Sequence, residues 1–401
     1  MSRINVLWVI DHVCYDGSLH GGGRLYWNVL PHFESSRIHV VPYLLRATPE
    51  IRRVFRDSPV PVGVLDKGRL DPSTLLTFLR LIKAENIHVM HLHCYGASSF
   101  GRLASILTGV PAVIHDYDTE VYFRYPWYLW LADRVLASRT DRAIASSPMV
   151  RDFQVHKRKI NDGRVLRMFH AIPADRYEPV GADRIAAIRN GLNVRADTRL
   201  VGTVTKLGPQ RGTDVLLEAA ARVVREVPNC CFVLLYQATH FHRLPSRKYV
   251  LVSAADAEAQ VEELTGHIER LGLTEAVRLV EWPADLGEYI AACDFVVAPF
   301  QSERFSSVHL LEAMAKGKPL VATALGEQGE IVKDGFNGYL VPPGRAEELA
   351  GRITQLLENP AELERLGGRA REDAERYSAP AYARALEELY AELAERAAAR
   401  R

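Results

Sequence analysis

Short apolar runs and amphipathic stretches alternate along the chain, with Gly, Pro, Asn and Asp at the joints. In the first half, Ile4–Ile10, Ile38–Leu45, Ile87–His93, Ala112–His115 and Arg142–Ser146 are near-continuous apolar runs that predict strands. Between them, Arg24–His32, Thr74–Glu85, Phe100–Thr108 and Trp127–Ser138 carry helical periodicity. Strands apolar on both faces, separated by helices, imply a parallel sheet covered on both sides. After the stretch Phe169–Pro173 and a connector holding Pro179 and Gly181, the alternation restarts. Strands are predicted at Leu200–Val204, Cys231–Tyr236, Val277–Glu281, Phe295–Pro299 and Pro319–Ala322. Helices are predicted at Asp214–Glu226, Ala257–Leu271, Leu286–Ala292, Val308–Ala315, Glu347–Glu358 and Pro360–Tyr377. The pattern predicts an α/β protein of two doubly wound domains, residues 1–175 and 195–378.

Composition narrows the class. A length of 401 residues suits two domains of ordinary size. With 25% charged residues and a net charge of +1, there is no basic field of the kind that binds nucleic acid. Five scattered cysteines without a CxxC spacing suit a reducing cytoplasm and argue against a disulfide frame or a zinc site. No apolar run approaches the roughly 18 residues of a membrane span, and the chain enters a strand at once without a leader pattern.

Candidate chemistry concentrates in Pro299–Thr323, a strand–turn–helix–strand unit. Ser306 and Ser307 stand where a helix opens, and Val308 is its first apolar residue. Free N–H groups and the positive dipole end at such a helix start suit a phosphate. Helical side chains lean toward the N-terminus, so Glu312 reaches back toward that end. A carboxylate about one turn away suits a sugar diol, and phosphate beside diol outlines a nucleotide. A solvated glutamate on an ordinary helix is the alternative. In the loop after Leu200–Val204, Lys206 and Arg211 are two cations that can clamp a diphosphate as it leaves.

The first half offers Gly21-Gly22-Gly23 and two histidine-bearing strand ends. The glycines fail the dinucleotide fingerprint. Tyr26 stands where the last Gly belongs, and Val41–Leu45 lacks the acid that holds an NAD ribose. They read either as a loop for close phosphate approach or as a tight turn. His91 and His93 lack a clear third metal partner, and one of them is expected to be packed in the core. No acidic pair suited to a metal ends a strand. The basic stretch Arg151–Arg167 reads first as a solvated face and second as a peripheral contact with anionic membrane.

The stretch Glu312-Ala313-Met314-Ala315 with Gly317-Lys318-Pro319 resembles the signature of retaining GT-B glycosyltransferases of family 4, the group 1 enzymes. Lys206, Arg211, Gly212 and Leu216-Leu217 extend the likeness, as do Glu330-Ile331-Val332 and Asn337-Gly338. The resemblance implies GT-B architecture, two Rossmann-like domains facing across a cleft, with the terminal helix 379–401 crossing back to the first. It implies a nucleotide-sugar donor, with UDP favoured, and a small-molecule, glycan or lipid-linked acceptor. Cofactor and metal are not expected. It places the ribose on Glu312, the diphosphate between Lys206 and Arg211, and donor contacts on Gly22 and Gly23. His115 would lie beside the reacting sugar carbon, with Asp116 and His93 on the acceptor side of the cleft. Trp282-Pro283 and the loop near it would hold the nucleotide base.

Two departures stand out. The family has Arg then Lys where this chain has Lys206 then Arg211. With seven residues between it and Glu312, the family's other glutamate position holds Arg304, with Glu303 one residue earlier. A one-residue shift in the turn would hand the catalytic donor-sugar role to Glu303; otherwise Arg304 faces the donor. The stretch 237–250 replaces a short Gly-rich turn and reads as a surface insertion or a specificity loop. A nucleotide-sugar epimerase and a catalytically impaired binding partner are the alternative functions.

Overall fold

The computed structural model describes residues 3–13, 21–33, 37–56, 58, 60–117, 127–238, 241–243, 249–251, 253–302 and 308–400. The chain divides into two compact units, Met1–Pro173 with Tyr377–Arg401, and Ala174–Arg376.

The first unit holds β1 (Ile4–Ile10), β2 (Ile38–Leu44), β3 (Gly63–Val64), β4 (Ile87–His93), β5 (Ala112–Asp116), β6 (Arg142–Ala145) and β7 (Val165–Arg167). They form one parallel sheet in the order β3-β2-β1-β4-β5-β6-β7. β1 is buried almost throughout, which is why it reads as an unbroken apolar run. The last helix, Ala379–Ala398, buries Tyr382, Leu386, Tyr390 and Leu393 in the same core as Trp8 and Tyr26. Parallel bonds between Ile172 and the backbone of Tyr377 and Ala379 tie that helix to the end of the unit's first segment.

The second unit holds β8 (Arg199–Lys206), β9 (Cys230–Gln237), β10 (Phe241–Arg243), β11 (Tyr249–Leu251), β12 (Val277–Glu281), β13 (Phe295–Ala298), β14 (Leu320–Thr323) and β15 (Gly338–Val341). Its main sheet runs β12-β9-β8-β13-β14-β15, again parallel. Both sheets therefore begin in the doubly wound order in which the first strand of the unit lies centrally and the winding reverses beside it. β10 and β11 pair antiparallel, and β11 ends one residue beyond the 237–250 stretch.

Local pattern missed elements that tertiary contacts complete. The residues after Gly181, expected as a connector, form the helix Ala182–Gly191, where Arg184 pairs with Glu288 and Arg189 donates to Ala292 O. The helix expected from Phe100 begins at Cys94. Its first turn is capped by Asp11, whose carboxylate accepts from Gly96 N–H at 2.7 Å and Ala97 N–H at 2.5 Å. That cap lies more than eighty residues away in sequence, so no local signal marks the start.

Beneath β5 lies a buried ionic cluster. Arg158 holds Asp116 through Nη1 at 2.8 and 2.7 Å and reaches Asp133 through Nη2 at 3.0 Å. Arg102 also pairs with Asp133, and Gln154 donates to Asp116 at 2.9 Å. Burial alone would raise the Asp133 carboxyl, but Arg158 and Arg102 outweigh it and hold the group below its usual range. Two positive and two negative groups, all buried, compensate one another. Removing one leaves a charge with no partner and no water. Arg158→Ala is expected to lower the unfolding free energy by about 3–5 kcal/mol in urea denaturation. Arg151→Ala breaks only the exposed Arg151–Asp162 pair and should cost less than about 1 kcal/mol.

Candidate active site

Ligands of doubly wound sheets bind beyond the carboxyl ends of the strands, where the winding reverses. In the second unit that point lies between β8 and β13. Lys206 ends β8, and a single turn, Pro209–Arg211, carries Arg211. Gly212 then starts the helix Thr213–Glu226 with φ +68°. A Cβ on Gly212 would lie 1.8 Å from Pro299 O, so only glycine lets this loop approach the end of β13. Gln301 N–H donates to Gln210 O at 2.9 Å and locks the two strand ends together.

Both cations rest against aromatic faces. The Lys206 ammonium lies 5.6 Å from the Trp282 ring and the Arg211 guanidinium 5.1 Å from Phe300. Trp282 is fixed in turn by its indole N–H on Leu235 O. Phe300 packs against His309, whose ring burial and the Arg211 charge hold at a pKa of about 3. His309 therefore stays neutral beside Arg211. The helix Val308–Ala315 starts where expected and carries Glu312, whose side chain is 15% exposed and therefore still reachable by a ligand. Arg176 stands 3.9 Å from it, at the long end of the range for an ion pair. Neither His309 nor Arg176 carries a signal in the sequence; both are brought in by the fold. Glu303, Arg304, Ser306 and Ser307 lie outside the described residues.

In the first unit, Gly21–Val29 is helical from Gly21, so Gly22 and Gly23 belong to the first turn of a helix, not to the loop before it. A Cβ on Gly22 would meet the Tyr117 ring at 2.6 Å, and one on Gly23 would meet Val13 O at 2.4 Å. The glycines let this turn close onto Tyr117. Tyr117 in turn stacks on His115, ring centroids 4.3 Å apart, and its hydroxyl meets His93 Nδ1 at 2.6 Å. Tyr117 was missed, although it follows His115-Asp116 directly.

His91 and His93 are two residues apart and share one face of β4, so both are packed inward. His93 pairs in register with His115 across β4 and β5, which brings to His91 and His93 the third histidine that the sequence did not connect with them. Their nitrogens come within 4.8 Å of one another. The rings of His91 and His93 are stacked 4.3 Å apart, and Tyr390 and Tyr117 hydroxyls hold one nitrogen of each. An imidazole binds an ion best in its own ring plane, and these rings lie face to face, 23° apart for His91 and His93 and 30° for His93 and His115. The arrangement is an aromatic stack. His115 is buried with both ring nitrogens unpartnered. Burial, with the neighbouring His91 and His170, keeps it well below 6.5 and neutral. Asp116, expected on the acceptor side, has both oxygens engaged by Arg158, and Gln154 adds a third bond.

Family models match both units in succession: residues 20–176 match Glycosyltransferase Family 4, and residues 185–373 match Glycosyl transferases group 1. The chain is a group 1 glycosyltransferase. A curated relative, D-inositol 3-phosphate glycosyltransferase 2 of Catenulispora acidiphila, is 27% identical over 80% of this chain and 75% of its own. Alpha-D-kanosaminyltransferase of Streptomyces kanamyceticus is 25% identical over 76% and 77%. Anabaena Alr3699/HepE in complex with UDP superposes with a TM-score of 0.75 at 22% identity, over 97% of this chain and all of that one. WaaG, a glycosyltransferase involved in lipopolysaccharide biosynthesis, gives 0.60 at 16% over 94% and 98%. The glycosyltransferase thus has the GT-B fold of two Rossmann-like domains, as the family resemblance implied.

The buried histidines of this glycosyltransferase make its stability sensitive to acid. His91 is held at about 3 and His170 at about 4 by burial, and His93 and His115 lie well below 6.5. Unfolded, these rings titrate near 6.5, so below that value the unfolded chain binds more protons than the folded one. Stability is full above pH 6.5 and falls as pH drops through 6.5 toward the folded values. Each such histidine contributes up to about 1.4 kcal/mol per pH unit to the slope. Urea unfolding between pH 7.5 and 5 should show the decline. His170→Asn should flatten it by one such increment; an unchanged slope would count against a neutral, buried His170.

Proposed function

We propose that this glycosyltransferase moves a sugar from a nucleotide-sugar donor, with retention at the anomeric carbon and without a metal. One observation carries the reading: Lys206 and Arg211 stand at the carboxyl end of β8, at the reversal point of the second sheet, held there by the Gly212–Pro299 approach. Two fixed cations at that position stabilise a departing diphosphate as a bound divalent ion otherwise would. Glu312 takes the ribose diol. The start of the helix Val308–Ala315, with Ser306 and Ser307 just before it in sequence, takes phosphate oxygens, and Glu303 takes donor-sugar hydroxyls. The solved complex of HepE with UDP favours a uridine nucleotide. The acceptor is a hydroxylated small molecule, glycan or lipid-linked sugar; the inositol phosphate in the relatives' name is one such molecule.

His115 is assigned to the reacting sugar, with His93 behind it. Its neutrality suits that task, because a cation beside a carbon gaining positive charge would oppose the reaction. A neutral imidazole gives a hydrogen bond without that penalty. No carboxylate is assigned as nucleophile. The carbon–diphosphate bond breaks and the acceptor oxygen bonds to the same face, its proton passing to the departing diphosphate.

The test is a panel of nucleotide sugars, followed by melting temperature and by product formation with and without acceptor. A true donor raises the melting temperature, because it binds only the native state. Acceptor-dependent transfer supports the reading; turnover of the donor to an isomer without acceptor indicates an epimerase, and binding without turnover an impaired partner. Lys206→Ala and Arg211→Ala should each cut kcat roughly 100-fold or more with the melting temperature kept. Activity should survive excess EDTA. Complete loss, restored by a divalent ion, would show that a metal and not the two cations carries the leaving group.

A further inference from the structure

A reacting imidazole is ordinarily aimed by a hydrogen bond on its other nitrogen. His115 has no such bond: both of its ring nitrogens are buried and, among the described residues, unpartnered. Its orientation rests on ring faces alone. His91 lies 5.4 Å away and nearly parallel, at 8°. His93 lies 4.9 Å away at 30°, and Tyr117 is nearest, at 4.3 Å and 32°. Tyr117 acts on His115 twice. Its face packs on the ring directly, and its hydroxyl holds His93 Nδ1 at 2.6 Å, which fixes a second ring of the stack. Tyr117 also stacks on His170, 6.0 Å away.

Gly22 decides where that ring can sit. It is buried in the first turn of the helix Gly21–Val29, and a Cβ there would fall 2.6 Å from both Cδ2 and Cε2 of Tyr117. A contact that short forces one partner to move. The helix is anchored in the core by Leu25, Tyr26 and Val29, so the ring yields. A ring tied to His93 and stacked on His115 cannot yield without moving them. Gly23 differs, because a Cβ there would meet a backbone atom, Val13 O, at 2.4 Å. Gly23 serves the course of the chain, whereas the room beside Gly22 is taken by the protein's own tyrosine.

We propose that Tyr117 is the positioning residue of the first unit: Gly22 sets the place of its ring, and the ring sets the place of His115. The catalytic part of this inference rests on the assignment of His115 to the reacting sugar. Tyr117 itself takes no proton in the reaction, since burial holds its hydroxyl well above the usual value of 10 and keeps it neutral. His115 acts at the reacting carbon, while Lys206, Arg211 and Glu312 of the second unit hold the nucleotide. A displaced Tyr117 therefore lowers kcat and leaves the donor KM nearly unchanged.

The experiment is a double-mutant cycle on the full chain: parent, Gly22→Ala, Tyr117→Ala and the two together, with Tyr117→Phe and His115→Ala beside them. Two readouts are taken. The ring nitrogen resonances of the histidines are recorded without ligand, and kcat and KM are measured with the nucleotide sugar that the panel above identifies. Gly22→Ala and Tyr117→Ala should each lower kcat roughly tenfold or more, with the donor KM within about threefold. In the Tyr117→Ala background, Gly22→Ala should cost less than about twofold, because the ring it displaces is gone. Tyr117→Phe keeps the ring and should lose no more than roughly tenfold, the worth of one hydrogen bond. It should shift His93 Nδ1, and Gly22→Ala should shift the resonances of both His93 and His115. If Tyr117→Ala folds poorly, Gly22→Ala, Tyr117→Phe and the resonances still decide. Unmoved resonances in Gly22→Ala overturn the proposal. So does parent-like kcat in Tyr117→Ala, or a Gly22→Ala loss of the same size with and without the tyrosine ring. If His115→Ala keeps full kcat while the resonances move as expected, the assignment of His115 fails and takes the catalytic role of Tyr117 with it.

Discussion

The pairing of Arg158 with Asp116 and Asp133 is the constraint on which the first unit turns. It joins the end of β5, which carries His115, to the helix Trp127–Leu136 and, through Arg102, to the helix Cys94–Thr108. One side of those two helices is thereby fixed by charge inside the protein, and their other side is free to present apolar residues outward. The same cluster sets the exit of β5, so that Tyr117 turns back over His115 and meets the first helical turn at Gly22. Burying four charges is expensive in itself, and the return is geometric uniqueness: few other arrangements satisfy all of them. That specificity is our reading of why the cluster persists in place of a packed apolar core.

Most of the fold was legible because the strands are buried on both faces and therefore spell themselves out as apolar runs. Most strands of both sheets, β1 and β8 among them, could be marked from sequence; β15, which follows the Asn337-Gly338 turn, was not. What was not legible depends on distance along the chain. The start of the helix at Cys94 is set by Asp11, and the helix Ala182–Gly191 is held by Glu288 and Ala292. The two-residue β3 and three-residue β7 are too short to carry a period.

The site divides along the same line. Lys206, Arg211 and Glu312 could be found because they belong to contiguous motifs at strand ends, and the structure places the first two at a reversal point of the winding. The histidine stack could not. His91 and His93 looked separable by strand alternation, yet a spacing of two puts them on one face, and only the β4–β5 register reveals His115 beside them. Arg176 and His309 acquire meaning solely from Glu312 and Arg211, their neighbours in space. Asp116 shows the converse. It sits in a motif that suggests contact with a ligand, while its oxygens serve a buried guanidinium.

The two sheets share a winding order, but their reversal points are not equivalent in what they leave open. In the first unit, the helix that follows β4 points its free N–H groups at Asp11, which the protein itself supplies from the neighbouring strand end. Asp11 is in effect a tethered anion, present at an effective concentration that no dissolved phosphate matches. A helix start of that kind is self-ligated, and phosphate has to bind elsewhere. Two domains of one architecture can in this way differ at equivalent points through a single carboxylate: where the chain provides its own anion, that helix start is already occupied.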